Sequence, residues 1–254
     1  MSKLLENRNA IVTGASRGIG AATAYTLAKN GANVVLTYAT SAGKAEDLAK
    51  KIIEDFGVKA YAIKSDASEY GSAEKLVAEV SKLFKTVDIL VNNAGFDDDG
   101  LIADLTEDRF HKILQVNTVY PVLLVKHCIP YFGTKPRVVN TSSVLARQVT
   151  EFACSYSASK AGLESATKSI ALELGQKHEL TCNAVSVGTT ATDMWYRSDP
   201  AMLEAYEPQI KATPAAARIA EPQDIADIIL FLSQESSRWV TGSTICANGG
   251  MQFI

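Results

Sequence analysis

A tyrosine and a lysine stand four residues apart in 155-SYSASKAG-162. If that segment is helical, the spacing puts Tyr156 and Lys160 on one face, a turn apart, so the two side chains are neighbours. A phenol with an ordinary pKa of about 10 exchanges protons poorly at neutral pH, and an adjacent ammonium favours its ionised form and lowers that value. The pair has the makings of a general acid. The same spacing also arises on amphipathic helices that pack the tyrosine and leave the lysine in water, so the surrounding elements must decide between the two.

Those elements alternate. Short β-branched apolar runs at 9-NAIVT-13, 33-NVVLTY-38, 58-VKAYAI-63, 88-DILVN-92, 137-RVVNTS-142, 180-LTCNAVS-186 and 243-STICAN-248 are separated by longer stretches of helical period. In 74-EKLVAEVSKLF-84, Leu76, Val80, Leu83 and Phe84 form one stripe, and 160-KAGLESATKSIALEL-174 reads as a long helix with a small-residue face. The pattern predicts an α/β fold with a doubly wound seven-stranded parallel sheet, whose ligands bind outside the carboxyl ends of the strands.

With 254 residues and no Pro/Gly/Ser-rich or charged linker, the chain is expected to form a single domain over 1–254. An apolar fraction of 47% and a net charge of −3 give no basic excess for nucleic acid and point to a small-molecule partner. No apolar run approaches a membrane span, and no secretory h-region follows the N-terminus, so a cytoplasmic protein is expected. Cys128, Cys154, Cys182 and Cys246 are scattered, with only three histidines in the chain, which argues against a metal site.

The first strand runs into 13-TGASRGIG-20, which then opens into 21-AATAYTLAKNG-31. Glycines permit the tight turn and close backbone approach, and the helix start offers N–H groups to a pyrophosphate. A nucleotide is the natural ligand. The spacing is G-x-x-x-G-x-G, and a ligand-free strand-to-helix turn is its alternative. NAD sites place an acid at the end of the second strand. Here the segment is 37-TYATS-41, and Arg17, Thr40 and Ser41 offer a cation and hydroxyls where a carboxylate would repel a 2′-phosphate. NADP(H) is therefore expected rather than NAD(H).

Taken together, 13-TGASRGIG-20, 92-NNAG-95, Asn117, the serines of 140-NTSSV-144 and 156-YSASK-160 resemble the short-chain dehydrogenases/reductases over essentially the whole length. Within that family the chain is most similar to NADPH-dependent carbonyl reductases, the group containing 3-oxoacyl-carrier-protein reductases and fungal polyketide and naphthol reductases. The resemblance implies a Rossmann-type sheet and a catalytic set of Asn117, Ser143, Tyr156 and Lys160, with Ser143 thirteen residues before the tyrosine. Ser143 would bond the carbonyl oxygen and Tyr156 would protonate it. Lys160 would lower the tyrosine pKa and hold the nicotinamide ribose, and Asn117 would orient a water. The implied cofactor contacts are Gly14, Ser16, Arg17, Gly18, Ile19 and Gly20 of the loop; Asp66 and Ala67 at the adenine; Asn92, Ala94 and Gly95 on the ribose side; and Gly188 and Thr192. Assembly as a homotetramer or homodimer is also implied.

The chain departs from the family after the sixth strand, where 186-SVGTTATDM-194 has Val187 in place of a proline. Without proline's fixed φ the loop is expected to be more mobile or shifted. Near the end, 248-NGG-250 stands where relatives often carry Asp. A lid over the substrate is expected at about 189–215, carrying Met194, Trp195, Tyr196, Met202, Leu203 and Tyr206; the same aromatics could instead pack on their own helix. Val144, Leu145, Arg147 and Gln148 follow the catalytic serine as further pocket candidates. The run 97-DDD-99, either a solvated loop or the pocket mouth, would disfavour acidic substrates. An apolar, aromatic or polycyclic ketone fits this set. A cyclase, isomerase or imine reductase on the same pocket, or an NADP(H)-sensing module, is the alternative.

Overall fold

The computed structural model describes residues 3–97, 100–148, 150–198 and 200–253. Strands and helices follow in the order β1 (Asn9–Val12), α1 (Gly18–Lys29), β2 (Asn33–Tyr38), α2 (Ala42–Phe56), β3 (Ala60–Lys64), α3 (Ser72–Leu83) and β4 (Val87–Asn92). Then come α4 (Glu107–Leu114), a π-helical turn Gln115–Val119, α5 (Tyr120–Cys128), β5 (Phe132–Ser143), α6 (Cys154–His178), β6 (Thr181–Val187), α7 (Asp193–Tyr196), α8 (Pro200–Lys211), α9 (Pro222–Leu232) and β7 (Thr244–Ala247). The strands form one all-parallel sheet in the order β3-β2-β1-β4-β5-β6-β7. Strand order reverses between β1 and β4, and a crevice opens there at the carboxyl ends.

Alternation along each strand divides the core between the two faces of the sheet. Ala10, Val12, Val34, Leu36, Ile89 and Val91 meet Leu27 of α1, Ile52 of α2 and Ile225 and Ile229 of α9. Ile11, Val35, Leu90 and Val138 meet Leu76 and Val80 of α3, Leu124 of α5 and Leu174 of α6. Each such Leu or Ile, fully removed from water, contributes about 1.5–3 kcal/mol. With both faces covered, β4 and β6 are buried at every residue, the polar Asp88, Asn92, Asn183 and Ser186 included.

Four expectations need correction. β5 starts at Phe132, five residues before the apolar run at Arg137, because Phe132 pairs with Val87 ahead of a register shift between Val87 and Ile89. β3 is displaced to Ala60–Lys64, in register with Val34–Tyr38. On α3, Leu83 is 37% exposed, and Ala73 and Val77 turn inward with Leu76 and Val80 in its place. Val187, expected in the loop after the sixth strand, is buried and forms the last rung of β6, paired with Ser143 on one side and Ala247 on the other.

No helix among the described residues is long and apolar enough to cross a membrane. Inside the sheet, Asn140 is fully buried; its Nδ2 donates to Thr167 Oγ1 at 2.8 Å and its Oδ1 accepts from Asn92 Nδ2 at 2.8 Å. Asn140→Ala leaves the Asn92 amide only the Pro121 carbonyl at 3.5 Å, and a buried hydrogen bond lost in this way costs about 1–3 kcal/mol. Urea unfolding should show that loss as a lower midpoint with an unchanged m-value.

Candidate active site

The glycine turn after β1 is pinned by the turn after β4. Thr13 Oγ1 accepts from the backbone N–H of both Asn93 and Ala94 at 2.9 Å, and Asn93 Nδ2 donates to the carbonyls of Thr13 (3.0 Å) and Gly14 (3.2 Å). Gly14 has φ +62°, and a Cβ there would lie 2.9 Å from Ala94 Cα, so only glycine fits. A Cβ on Gly20 would collide with the Gly14 carbonyl and the Asn93 amide. Gly20 therefore acts by letting the turn close and does not itself line the cavity. The first turn of α1 carries no acid and no side-chain cap, which leaves its N–H groups open to an anion.

A cavity of about 530 Å³ runs along the carboxyl ends of the strands. Gly14, Ser16, Arg17, Gly18 and Ile19 line one end, together with Thr40, Ser41, Asp66 and Ala67. The Ser68 hydroxyl (2.7 Å) and its backbone N–H (2.9 Å) both donate to Asp66 Oδ1. The Ser68 bond, against the opposing effect of burial, holds the Asp66 carboxyl below its usual pKa. Arg17 does not reach toward Thr40 and Ser41; its guanidinium donates to Asp193 Oδ2 across the cleft at 3.0 Å. Ala94 and Gly95 line the middle, but Asn92 does not. As the last residue of β4, Asn92 points into the sheet toward Asn140, and Asn93, one residue beyond the strand, takes the cavity position expected of it.

At the far end, Ser143, Tyr156 and Lys160 share one wall. Ser143 ends β5, while Tyr156 and Lys160 lie one turn apart on α6, which runs much further than 160–174. Lys160 Nζ sits 5.6 Å from the Tyr156 ring centre and donates to the Thr141 carbonyl at 2.8 Å. Burial pulls the ammonium down to about pKa 8, against a smaller upward pull from the Asp97 carboxylate. Asn117 lies behind the wall in the π-helical turn, fully buried. Its Oδ1 accepts from the Phe96 N–H (2.9 Å), and its Nδ2 donates to the Phe96 carbonyl (2.8 Å) and to Ser159 Oγ (3.0 Å). Through these bonds the Asn117 side chain braces the turn after β4 against α6.

Val144, Leu145, Val187, Gly188, Thr192, Met194 and Trp195 line the cavity as expected. Arg147, Gln148 and Tyr196 do not: Arg147 binds Glu164, Gln148 follows the turn with its N–H on the Val144 carbonyl, and Tyr196 is 65% exposed. Trp195 and Tyr206 meet edge to face, ring centres 5.9 Å apart, and both face the cavity. Asp97 lines its rim, whereas Asp98, Asp99 and the side chain of Met202 lie outside the described residues. Among the described residues no group of three or more His, Cys, Asp or Glu side chains could hold a metal ion.

The family model described as enoyl-(acyl carrier protein) reductase matches residues 14–252. The short-chain dehydrogenase/reductase FrzI of Cladobotryum sp. is 40% identical over 253 residues, 98% of each chain. The chain belongs to the short-chain dehydrogenase/reductase family. The 3-oxoacyl-[acyl-carrier-protein] reductase FabG of Aquifex aeolicus is 34% identical, over 97% of this chain and 98% of that one. Two similar solved structures hold NADP. A short-chain dehydrogenase of Burkholderia cenocepacia matches with TM-score 0.91 at 34% identity, over 98% of this chain and 99% of that one. The angucycline C-6 ketoreductase LanV matches with TM-score 0.92 at 32% identity, over 99% and 98%. The chain is thus an oxidoreductase of this family.

In this short-chain dehydrogenase/reductase several cavity residues escaped sequence reasoning. Tyr38 and Val116 are unremarkable apolar positions until the fold assembles them. Phe96 and Lys112 become partners only in space, with the ammonium 4.6 Å from the ring centre. Asn93 was the legible one: alternation along fully buried β4 turns one of two adjacent asparagines away from the crevice.

Lys160 titrates near 8 folded and near 10.5 unfolded, so between those values the unfolded chain holds more protons and stability rises with pH. Below about pH 8 both states are protonated and the burial penalty is fully expressed. Relative to Lys160→Met, the wild-type chain should therefore gain stability as pH rises from about 8 toward 10.5. Asp97→Asn should start that rise at lower pH. Denaturant titrations across the range measure both.

Proposed function

We propose that this oxidoreductase uses NADPH to reduce the carbonyl of an apolar, aromatic or polycyclic small molecule. The observation that carries the reading is Ser143, Tyr156 and Lys160 on one cavity wall, at the opposite end from a phosphate cradle free of acids in its first helical turn. The residues fit the cofactor. Gly14, Ser16, Gly18 and Ile19 would hold the pyrophosphate at the start of α1, Arg17, Thr40 and Ser41 the 2′-phosphate, Asp66 and Ala67 the adenine, and Ala94, Gly95, Gly188 and Thr192 the nicotinamide riboside. Bound NADPH supplies hydride to the carbonyl carbon. Ser143 Oγ donates a hydrogen bond to the oxygen as its charge grows, and the Tyr156 hydroxyl delivers the proton. Lys160, held on the Thr141 carbonyl, places its ammonium beside the phenol and favours release of that proton.

Arg17 must leave Asp193 to meet a phosphate. The pair is exposed on both sides, and such pairs are worth roughly 0.2–1 kcal/mol. A phosphate offers the guanidinium more charge and three acceptor oxygens, so it competes well with so weak a tie.

Trp195, Tyr206, Met194 and Leu145 support a substrate with a broad apolar face, and the region 189–215 would act as its lid. The angucycline ketoreductase among similar structures supports a polycyclic ketone of specialised metabolism. Exposed Leu172, Trp239 and Phe253 support assembly as a homotetramer or homodimer; a monomer by light scattering at micromolar concentration would overturn it.

NADPH oxidation against polycyclic quinones, aromatic ketones, 3-oxoacyl thioesters and cyclic imines tests the reading. Turnover of one class should fall about 10²–10⁴-fold in Tyr156→Phe with NADPH affinity retained, and substantial residual turnover would exclude the acid role. Fluorescence titration of Arg17→Ala should show NADPH binding weakened about 10- to 100-fold and NADH binding little changed. Equal loss for both cofactors would remove the 2′-phosphate assignment.

A further inference from the structure

Glu164 is an acid inside the protein with no place on the cavity wall. It is 5% exposed and lies on α6 one turn beyond Lys160 and two beyond Tyr156, on the same face. Its two carboxylate oxygens have separate partners. Ser142 Oγ donates to Oε1 at 2.9 Å, and Arg147 Nε donates to Oε2 at 2.9 Å. Ser142 is the residue before Ser143; Arg147 closes the 3₁₀ turn Val144–Ala146 that Ser143 opens. One carboxylate thus ties the chain on both sides of Ser143 to the helix that carries Tyr156.

We propose that Glu164 is a positioning residue that sets the distance between the Ser143 hydroxyl and the Tyr156 phenol. The inference rests on the carbonyl-reductase reading above, because that reading alone requires the two hydroxyls to meet one oxygen. Stability alone does not account for the acid, since apolar side chains of similar volume commonly replace a buried ion pair without loss. What an apolar residue cannot supply is direction. Ser143 is already fixed from the other side by the β6 rung to Val187, and its own Oγ accepts the Leu145 N–H at 3.2 Å. Those bonds hold Ser143 to the sheet and to its turn, and the Glu164 pair holds that assembly to α6.

Hydride and proton transfer to one carbonyl tolerate little displacement, and about 1 Å of misplacement can cost roughly 10²-fold in rate. Glu164→Ala should lower kcat for phenanthrenequinone about 10- to 100-fold, with NADPH bound at full stoichiometry and nearly unchanged affinity. Glu164→Gln should recover most of the rate: its amide oxygen can accept from Arg147, and its NH₂ can donate to the Ser142 hydroxyl, which accepts as readily as it donates. Placed on Ser143→Ala, Glu164→Ala should have little further effect, because residues acting through one group are not additive.

If Ser143→Ala slows the enzyme while Glu164→Ala at full NADPH occupancy does not, or if the two losses multiply, the positioning role is overturned and the reductase reading stands. If the wild-type chain binds NADPH but reduces neither phenanthrenequinone nor any other carbonyl of the panel, both fall together. Should Glu164→Ala fail to fold, Ser142→Ala removes one of the two ties and leaves the Arg147 pair; a smaller kcat loss that disappears on Ser143→Ala is then the expected result, and full activity overturns the proposal.

Discussion

The site depends on how α6 is fastened to the carboxyl end of β5. Three polar contacts do this in sequence inside the protein: Thr167 with the Asn140 amide, Lys160 with the Thr141 carbonyl, and Glu164 with the Ser142 hydroxyl. The apolar contacts of Leu174 and Ala171 hold the helix against the sheet but would tolerate a slide along it. Hydrogen bonds are directional, and a buried one left unmade costs more than a made one contributes, so the seam permits one register. A second set works on the helix's other side, where Thr118 Oγ1 donates to the Ser159 carbonyl and Asn117 links Ser159 to the backbone of Phe96. The β4 turn and the β5 end, two walls of one cavity, are thereby held to a single helix.

This arrangement removes an ammonium from water. Lys160 is 3% exposed and donates to the Thr141 carbonyl, and burial lowers its pKa to about 8. A lone ammonium in such a place would normally shed its proton at lower pH. The Asp97 carboxylate at the cavity rim opposes that tendency. The two apolar layers on either face of the sheet supply the stability against which this burial is set, and their extent follows from a parallel sheet covered on both sides.

What could be read from the chain was what is decided locally. The glycine turn was legible because Gly14 needs positive φ and Gly20 meets the backbone of its own turn. The Tyr156 and Lys160 pair was legible because helical spacing alone makes neighbours of residues four apart, and β4 because Ile89, Leu90 and Val91 stand together at its buried centre. The errors fall where a distant partner decides. β5 begins early because Phe132 finds Val87, and Arg147 turns from the cavity because Glu164 is seventeen residues away in sequence and 2.9 Å away in space. Val187 extends β6 by one residue for the same reason, since Ser143 and Ala247 on either side draw it into the sheet.

The residues proposed for the reaction and those proposed for the substrate stand on different parts of the structure. Ser143, Tyr156 and Lys160 stand on a strand end and a long helix tied together by buried bonds, so their geometry is a property of the scaffold. Trp195, Met194 and Tyr206 stand on α7 and α8, short elements between β6 and α9 whose rings meet each other across the cavity. Such segments change with little consequence for the sheet. Arg17 joins the two regions, since its present partner Asp193 is the first residue of α7 and its proposed phosphate partner lies beyond the glycine turn. Any ligand that draws Arg17 away from Asp193 removes a tie between the cradle and the start of α7.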